Sequence, residues 1–132
     1  MATVTLTGEN FHETIQDNDT VLVDFWAAWC GPCRSFAPVY QTSSETHPGI
    51  VFAKVDTEDQ PELAGAYGVQ SIPTLMVFRD QILLFNQAGA LPPAALEDLI
   101  TQVEALNMED VKAQIADQFR VDQEVEAEIL TT

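Results

Sequence analysis

The chain has 132 residues, enough for one domain with a proper core and too few for two comfortable ones. An apolar fraction of 46% is that of a globular protein, and no apolar run approaches the length of a membrane span. Twenty-one acidic residues against five basic ones give a formal net charge of −16, a surface that repels phosphate backbones and anionic lipid and so disfavours nucleic-acid and membrane roles.

Residues 1–6 carry neither a basic segment nor a long apolar core, so no secretory signal is visible and a cytoplasmic location is expected. Residues 4–6 make a short first strand. Thr7 is suited to cap a helix carrying Phe11 and Ile15, ended by the turn-forming Asp17-Asn18-Asp19. The β-branched and aromatic run Val21-Leu22-Val23-Asp24-Phe25-Trp26 is that of a buried strand. Directly after it stands Trp29-Cys30-Gly31-Pro32-Cys33, which holds the only two cysteines. A helix from about Gly31 to Thr46 follows, with Phe36, Val39, Tyr40 and Ser43 at helical spacing, Pro38 inside it and His47-Pro48-Gly49 at its close. Residues 50–55 form another buried strand. Pro61 opens a short helix capped by Asp59 and ended by Tyr67-Gly68. Residues 74–78 and 82–85 flank Arg79-Asp80-Gln81 as an antiparallel hairpin. Pro92 and Pro93 then open a helix with Leu96, Leu99, Ile100, Val103 and Leu106 on one face. The order β-α-β-α-β-α-β-β-α predicts an α/β fold, a mixed sheet with helices on both faces.

Residues 107–132 add an acidic, amphipathic helical segment. Asn107 can cap it, with Asp110 three residues on. Val111, Ile115 and Phe119 fall four apart, Val121, Val125 and Ile129 repeat that spacing, and Glu124, Glu126 and Glu128 line the far side. The segment either lengthens the preceding helix, with which Leu106 and Val111 are nearly in phase, or forms a helix of its own. Such a helix packs on the domain, frays in solvent or serves docking and self-association.

A Cys-x-x-Cys pair at a strand-to-helix turn puts one sulfur at an exposed helix N-terminus and the other in the first turn. The unsatisfied N–H groups and the helix dipole there stabilise a thiolate on Cys30, and Cys33 is within reach to attack a mixed disulfide. A purely structural disulfide is disfavoured, since so small a loop gives little entropic gain. Zinc needs two further ligands, and His12 and His47 lie at no useful spacing, so no metal is expected. Arg34, one turn on, favours the thiolate against the broadly acidic field. Asp24 shares a face with Leu22 and Trp26 in an otherwise apolar run, so its carboxylate pKa is expected to rise. Lys54 interrupts the next apolar run in a similar way, to pair with Asp24 or to snorkel to solvent.

The ordered set formed by residues 23–33, Ala37-Pro38, Lys54-Val55-Asp56, Tyr67-Gly68-Val69, Ser71-Ile72-Pro73-Thr74-Leu75 and Gly89-Ala90 resembles the thioredoxin family over residues 3–106. That resemblance implies a thioredoxin fold in a domain spanning 1–106, with 107–132 as an extension carrying an extra C-terminal helix. It implies a protein-disulfide reductase that maintains thiol redox balance: Cys30 the nucleophile, Cys33 the resolving thiol, Asp24 beneath them moving the resolving thiol's proton, and Lys54 paired with Asp24. The Ile72–Pro73 bond is implied to be cis, turning the Ile72 backbone toward Cys30. Trp29, Gly31, Pro32, Ile72, Pro73, Gly89 and Ala90 would form a flat apolar patch for disulfide-bearing target proteins. No cofactor is bound in such a protein; its disulfide is recharged by an NADPH-dependent thioredoxin reductase, and it acts as a monomer. The alternatives are an oxidant or isomerase, against which Gly31-Pro32 stands, and a binding module that stabilises a partner enzyme. Two departures are local: Asp80-Gln81 replaces a glycine-containing turn, and Ala88 is smaller than the common valine.

Overall fold

In the computed structural model, which describes residues 2–131, the apolar run around Val23 becomes the central strand β2 (Thr20–Trp26). Before it come β1 (Thr3–Thr5) and α1 (Phe11–Asp17); after it come α2 (Gly31–Thr46), β3 (Val51–Asp56) and α3 (Pro61–Ala66). Then follow β4 (Thr74–Arg79), β5 (Ile82–Ala88), α4 (Pro93–Ala105) and α5 (Met108–Thr131). The sheet runs β1-β3-β2-β4-β5, parallel across the first three strands and antiparallel across the last two pairings.

Alternation along β2 divides the core between the two faces of the sheet. Val21, Val23 and Phe25 pack with Phe11 and Ile15 of α1 and Ala64 of α3. Leu22 faces the other way, toward Phe36 and Tyr40 of α2 and Leu96, Ile100 and Val103 of α4. Both faces are covered, so β2 is buried along almost its whole length. Asp24, two residues from Leu22, is thereby carried onto the α2 side. Helix α2 runs on through Pro38 to Thr46.

Two helix starts differ from expectation. Helix α1 begins after Asn10, not Thr7: the Asn10 side chain accepts the Thr7 N–H at 2.7 Å, and the Phe11 N–H reaches the Thr7 carbonyl at 3.0 Å. Thr7 therefore opens a turn, and the helix starts where Phe11 and Ile15 can both enter the core. Helix α3 is capped at Gln60, whose N–H bonds to the Asp56 carbonyl at 2.8 Å, and Asp59 stands outside it. The β4–β5 turn places Asp80 and Gln81 at φ 52° and 69°, the left-handed pair that a two-residue hairpin demands, here without glycine.

Helix α5 does not continue α4. Leu106 is extended (ψ 137°), and the Asn107 side chain accepts the N–H groups of Glu109 and Asp110 at 3.0 and 3.2 Å, a new N-cap. The end of α4 is closed from outside: Arg79 Nη1 donates to the carbonyls of Val103, Glu104 and Leu106 at 2.8, 3.3 and 2.9 Å. Met108 is buried and Lys112 bridges Asp80 at 3.2 Å, so the first turn of α5 is fixed to the domain. Beyond it, Ile115, Phe119 and Val125 are 48%, 63% and 50% exposed. This junction lies at the far end of the sheet from the cysteines, because Arg79 pairs with Thr20 at the start of β2 and Cys30 follows the end of β2. Among the described residues, no helix is long and apolar enough to cross a membrane.

Candidate active site

Strand β2 ends at Trp26, a short loop follows, and Cys30 is the N-cap of α2. Its N–H bonds to the Ala27 carbonyl at 3.2 Å, turning the chain into the helix. Cys30 and Cys33 are joined as a disulfide with their Cα atoms 5.2 Å apart, and both are nearly buried. Cys30 Sγ accepts the Cys33 N–H at 3.2 Å, the position a capping oxygen would take. On reduction, that donor and the positive end of the helix face a Cys30 thiolate. The Arg34 guanidinium folds back over the loop, its Nη1 donating to the Ala28 carbonyl at 2.9 Å.

The Ile72–Pro73 bond is cis, and the Ile72 carbonyl oxygen lies 3.7 Å from Cys30 Sγ. The Thr74 hydroxyl donates to the Ser71 carbonyl and the Gly89 N–H to the Pro73 carbonyl, at 2.5 and 2.8 Å, holding this segment from both sides. Gly89 sits at φ 111°, a conformation that favours glycine.

A groove of about 500 Å³ opens beside Cys30. Of the residues expected in an apolar patch around Cys30, Trp29, Gly31, Pro32 and Ile72 line this groove, and Pro73, Gly89 and Ala90 are not among its lining. Pro73 is buried, and Gly89, which bonds to its carbonyl, and Ala90 are exposed. The groove runs instead along the segment after α3, past Val69, Gln70 and Ser71, with Thr57 on its wall. Trp29 is 66% exposed, and its indole N–H donates to Glu58 at 2.5 Å. Nothing periodic in the sequence joins these residues; only the packing of α3 against the sheet brings them to the sulfurs.

Asp24 is 1% exposed, and neither carboxylate oxygen has a hydrogen-bond partner. Burial pushes its pKa up to about 7, with the positive charge of Lys54 opposing. Lys54 stands beside Asp24 in the β2–β3 register, yet the expected contact ion pair is not formed. Its Nζ lies 4.8 Å from the centre of the Trp26 ring, a cation–π arrangement, and acts on Asp24 through space. Tyr40, whose hydroxyl donates to the Ala53 carbonyl at 2.8 Å, is pushed well above its usual range by burial and then by the charge of Asp24. Among the described residues, no three His, Cys, Asp or Glu side chains are grouped to hold a metal ion.

The family model of thioredoxin matches residues 2–102. The chain belongs to the thioredoxin family. A Streptomyces coelicolor relative, provisionally named thioredoxin 2, is 56% identical over 117 residues, 89% of this chain and 87% of that one. A match of 117 residues in a chain of 132 necessarily runs into α5. A thioredoxin of Alicyclobacillus acidocaldarius is 43% identical over 103 residues, covering 77% of this chain and 98% of its own. Among solved structures, a mutant thioredoxin from Halobacterium salinarum superposes with a TM-score of 0.73 at 37% identity, over 80% of this chain and 93% of that one. As in its family, the chemistry of this thioredoxin-family chain is thiol–disulfide oxidoreduction, with the Cys30–Cys33 pair supporting dithiol–disulfide exchange.

Proposed function

We propose that the chain is a general protein-disulfide reductase of the cytoplasm, built as a catalytic unit of residues 1–106 with residues 107–132 appended. One observation carries the reading: the sulfur of Cys30 caps α2, accepting the Cys33 N–H, at the mouth of an apolar groove. In the reduced protein the Cys30 thiolate attacks one sulfur of a target disulfide. The target S–S bond breaks, a mixed disulfide forms, and the first target sulfur leaves as a thiolate that takes a proton from solvent. Cys33 then gives its proton to Asp24 and attacks Cys30, which closes the Cys30–Cys33 bond and releases the second target sulfur. The target gains two electrons and the pair loses two. Asp24, raised to about 7, is partly charged at neutral pH and suits both acceptance and return of that proton.

Trp29, Gly31, Pro32 and Ile72 provide the apolar contact for the target segment, and the Ile72 backbone offers hydrogen bonds to it. Two electrons from NADPH, passed through a flavin-dependent thioredoxin reductase, restore the dithiol. All of these groups come from one chain, so a monomer suffices for turnover. The reduction potential of the Cys30/Cys33 pair, from equilibration in redox buffers with thiol trapping, tests the reading. A value near the thioredoxin figure of about −270 mV is expected; a value near −180 or −120 mV, roughly those of an isomerase and an oxidant, would overturn it.

A further inference from the structure

The outer part of α5 carries a second pattern, independent of the redox site. Val111, Ile115, Gln118, Asp122, Val125 and Ile129 follow one another at spacings of four, three, four, three and four. These are the a and d positions of a heptad repeat, apolar at both ends and polar in the middle. Phe119 and Val121 flank the polar centre, one on each side of the seam. The helix is docked on the domain at its start, residues 108–112, through Met108 and the Lys112–Asp80 bridge. Val111 is half-buried, and Ile115, Phe119 and Val125 project into solvent.

The seam matches itself when reversed about residue 120. Val111 then meets Ile129 of a second copy, Ile115 meets Val125, and Gln118 meets Asp122. The flanks agree as well: Phe119 meets Phe119, Val121 meets Val121, and Lys112 meets Glu126. Within one helix the Gln118 amide donates to Asp122 at 2.9 Å, so the central pair already has complementary donor and acceptor. A parallel pair would instead bury Asp122 against Asp122 and set Val121 beside Glu126, which like-charge repulsion and desolvation oppose. An isologous antiparallel pair satisfies every layer, with a polar centre that fixes register.

The geometry points to α5 as a self-association helix through which two copies of this chain form an antiparallel dimer. The seam spans about 27 Å from residue 111 to residue 129 at the helical rise, so the two domains stand at opposite ends of it. That separation matters for a chain of net charge −16, and it makes the dimer tighten as salt screens the repulsion between domains.

Sedimentation equilibrium of the full-length oxidised protein at low and high salt tests this. A monomer–dimer equilibrium that strengthens with salt is expected. Phe119→Asp, which sets two carboxylates face to face, should weaken association about a hundredfold or more, while Asp122→Leu should strengthen it. Circular dichroism of both variants checks that the helix persists. In a chain with Cys30→Ser and Cys33→Ser, Phe119→Cys should form an interchain disulfide under mild oxidation, and Ile129→Cys should not. Three results would each overturn the proposal: a wild-type monomer at every concentration and salt, a dimer indifferent to both variants, or cross-linking through position 129 and not 119.

Discussion

Asp24 is a carboxylate held where ionisation is costly, and this ties stability to pH. Its pKa is about 7 in the folded protein against 3.8 for an ordinary aspartate, so between these values the folded state holds the extra proton. The Asp24 contribution to stability is therefore full below about pH 4, falls as pH rises, and is lost above about pH 8, a difference on the order of 4 kcal/mol. Asp24→Asn should abolish this slope, so that urea midpoints of the oxidised protein at pH 5 and pH 8 converge. The same variant should slow closure of the mixed disulfide at neutral pH. Cys33→Ser should stop turnover with Cys30 still bonded to its target, visible as a covalent adduct that dithiothreitol releases. Trp29 is exposed and held by Glu58, and on the proposed function it contacts the target. Trp29→Ala should raise KM for a protein disulfide several-fold while leaving the reduction potential unchanged.

At the scale of elements, the seam between β4, α4 and α5 rests on one guanidinium. Arg79 donates to three carbonyls at the end of α4, of which that of Val103 also accepts the Leu106 N–H, and Asp80 beside it holds Lys112. Arg79→Ala should cost about 2 kcal/mol in urea unfolding and speed hydrogen exchange in the first turn of α5, with Arg79→Lys recovering part of both. The elements themselves were largely legible from the chain. Period-two and period-four apolar spacing are local signals, and so are the Cys-x-x-Cys motif and the Asn107 cap. Competing local solutions were harder: Thr7 and Asn10 are both good caps, and the burial of Phe11 with Ile15 decides between them. The direction in which Lys54 bends was not legible either, because the Trp26 ring that attracts it is a tertiary neighbour. Val69, Gln70 and Ser71 escaped for the same reason, being groove residues only once α3 is packed.

For the whole molecule, the acidic surface sets a field in which Cys30 must ionise. Arg34 and the end of α2 favour the thiolate, and a net charge of −16 opposes it at long range. Added salt screens the distant charges more than the adjacent ones, so the Cys30 pKa should fall as ionic strength rises. A thiolate absorbance titration at low and high salt checks this; no shift would sink the idea. Removing residues 108–132 should leave reductase-coupled activity intact, since the redox groove draws none of its lining from α5.

The placement of the α4–α5 junction has a practical reach. Because it sits at the opposite pole from Cys30, cargo attached at the junction itself, around Asn107, would stand away from the mouth of the groove. Immobilised on a resin there, the protein should still accept bulky substrates from solution. The same anchor in the loop between Trp26 and Cys30 would stand in their way.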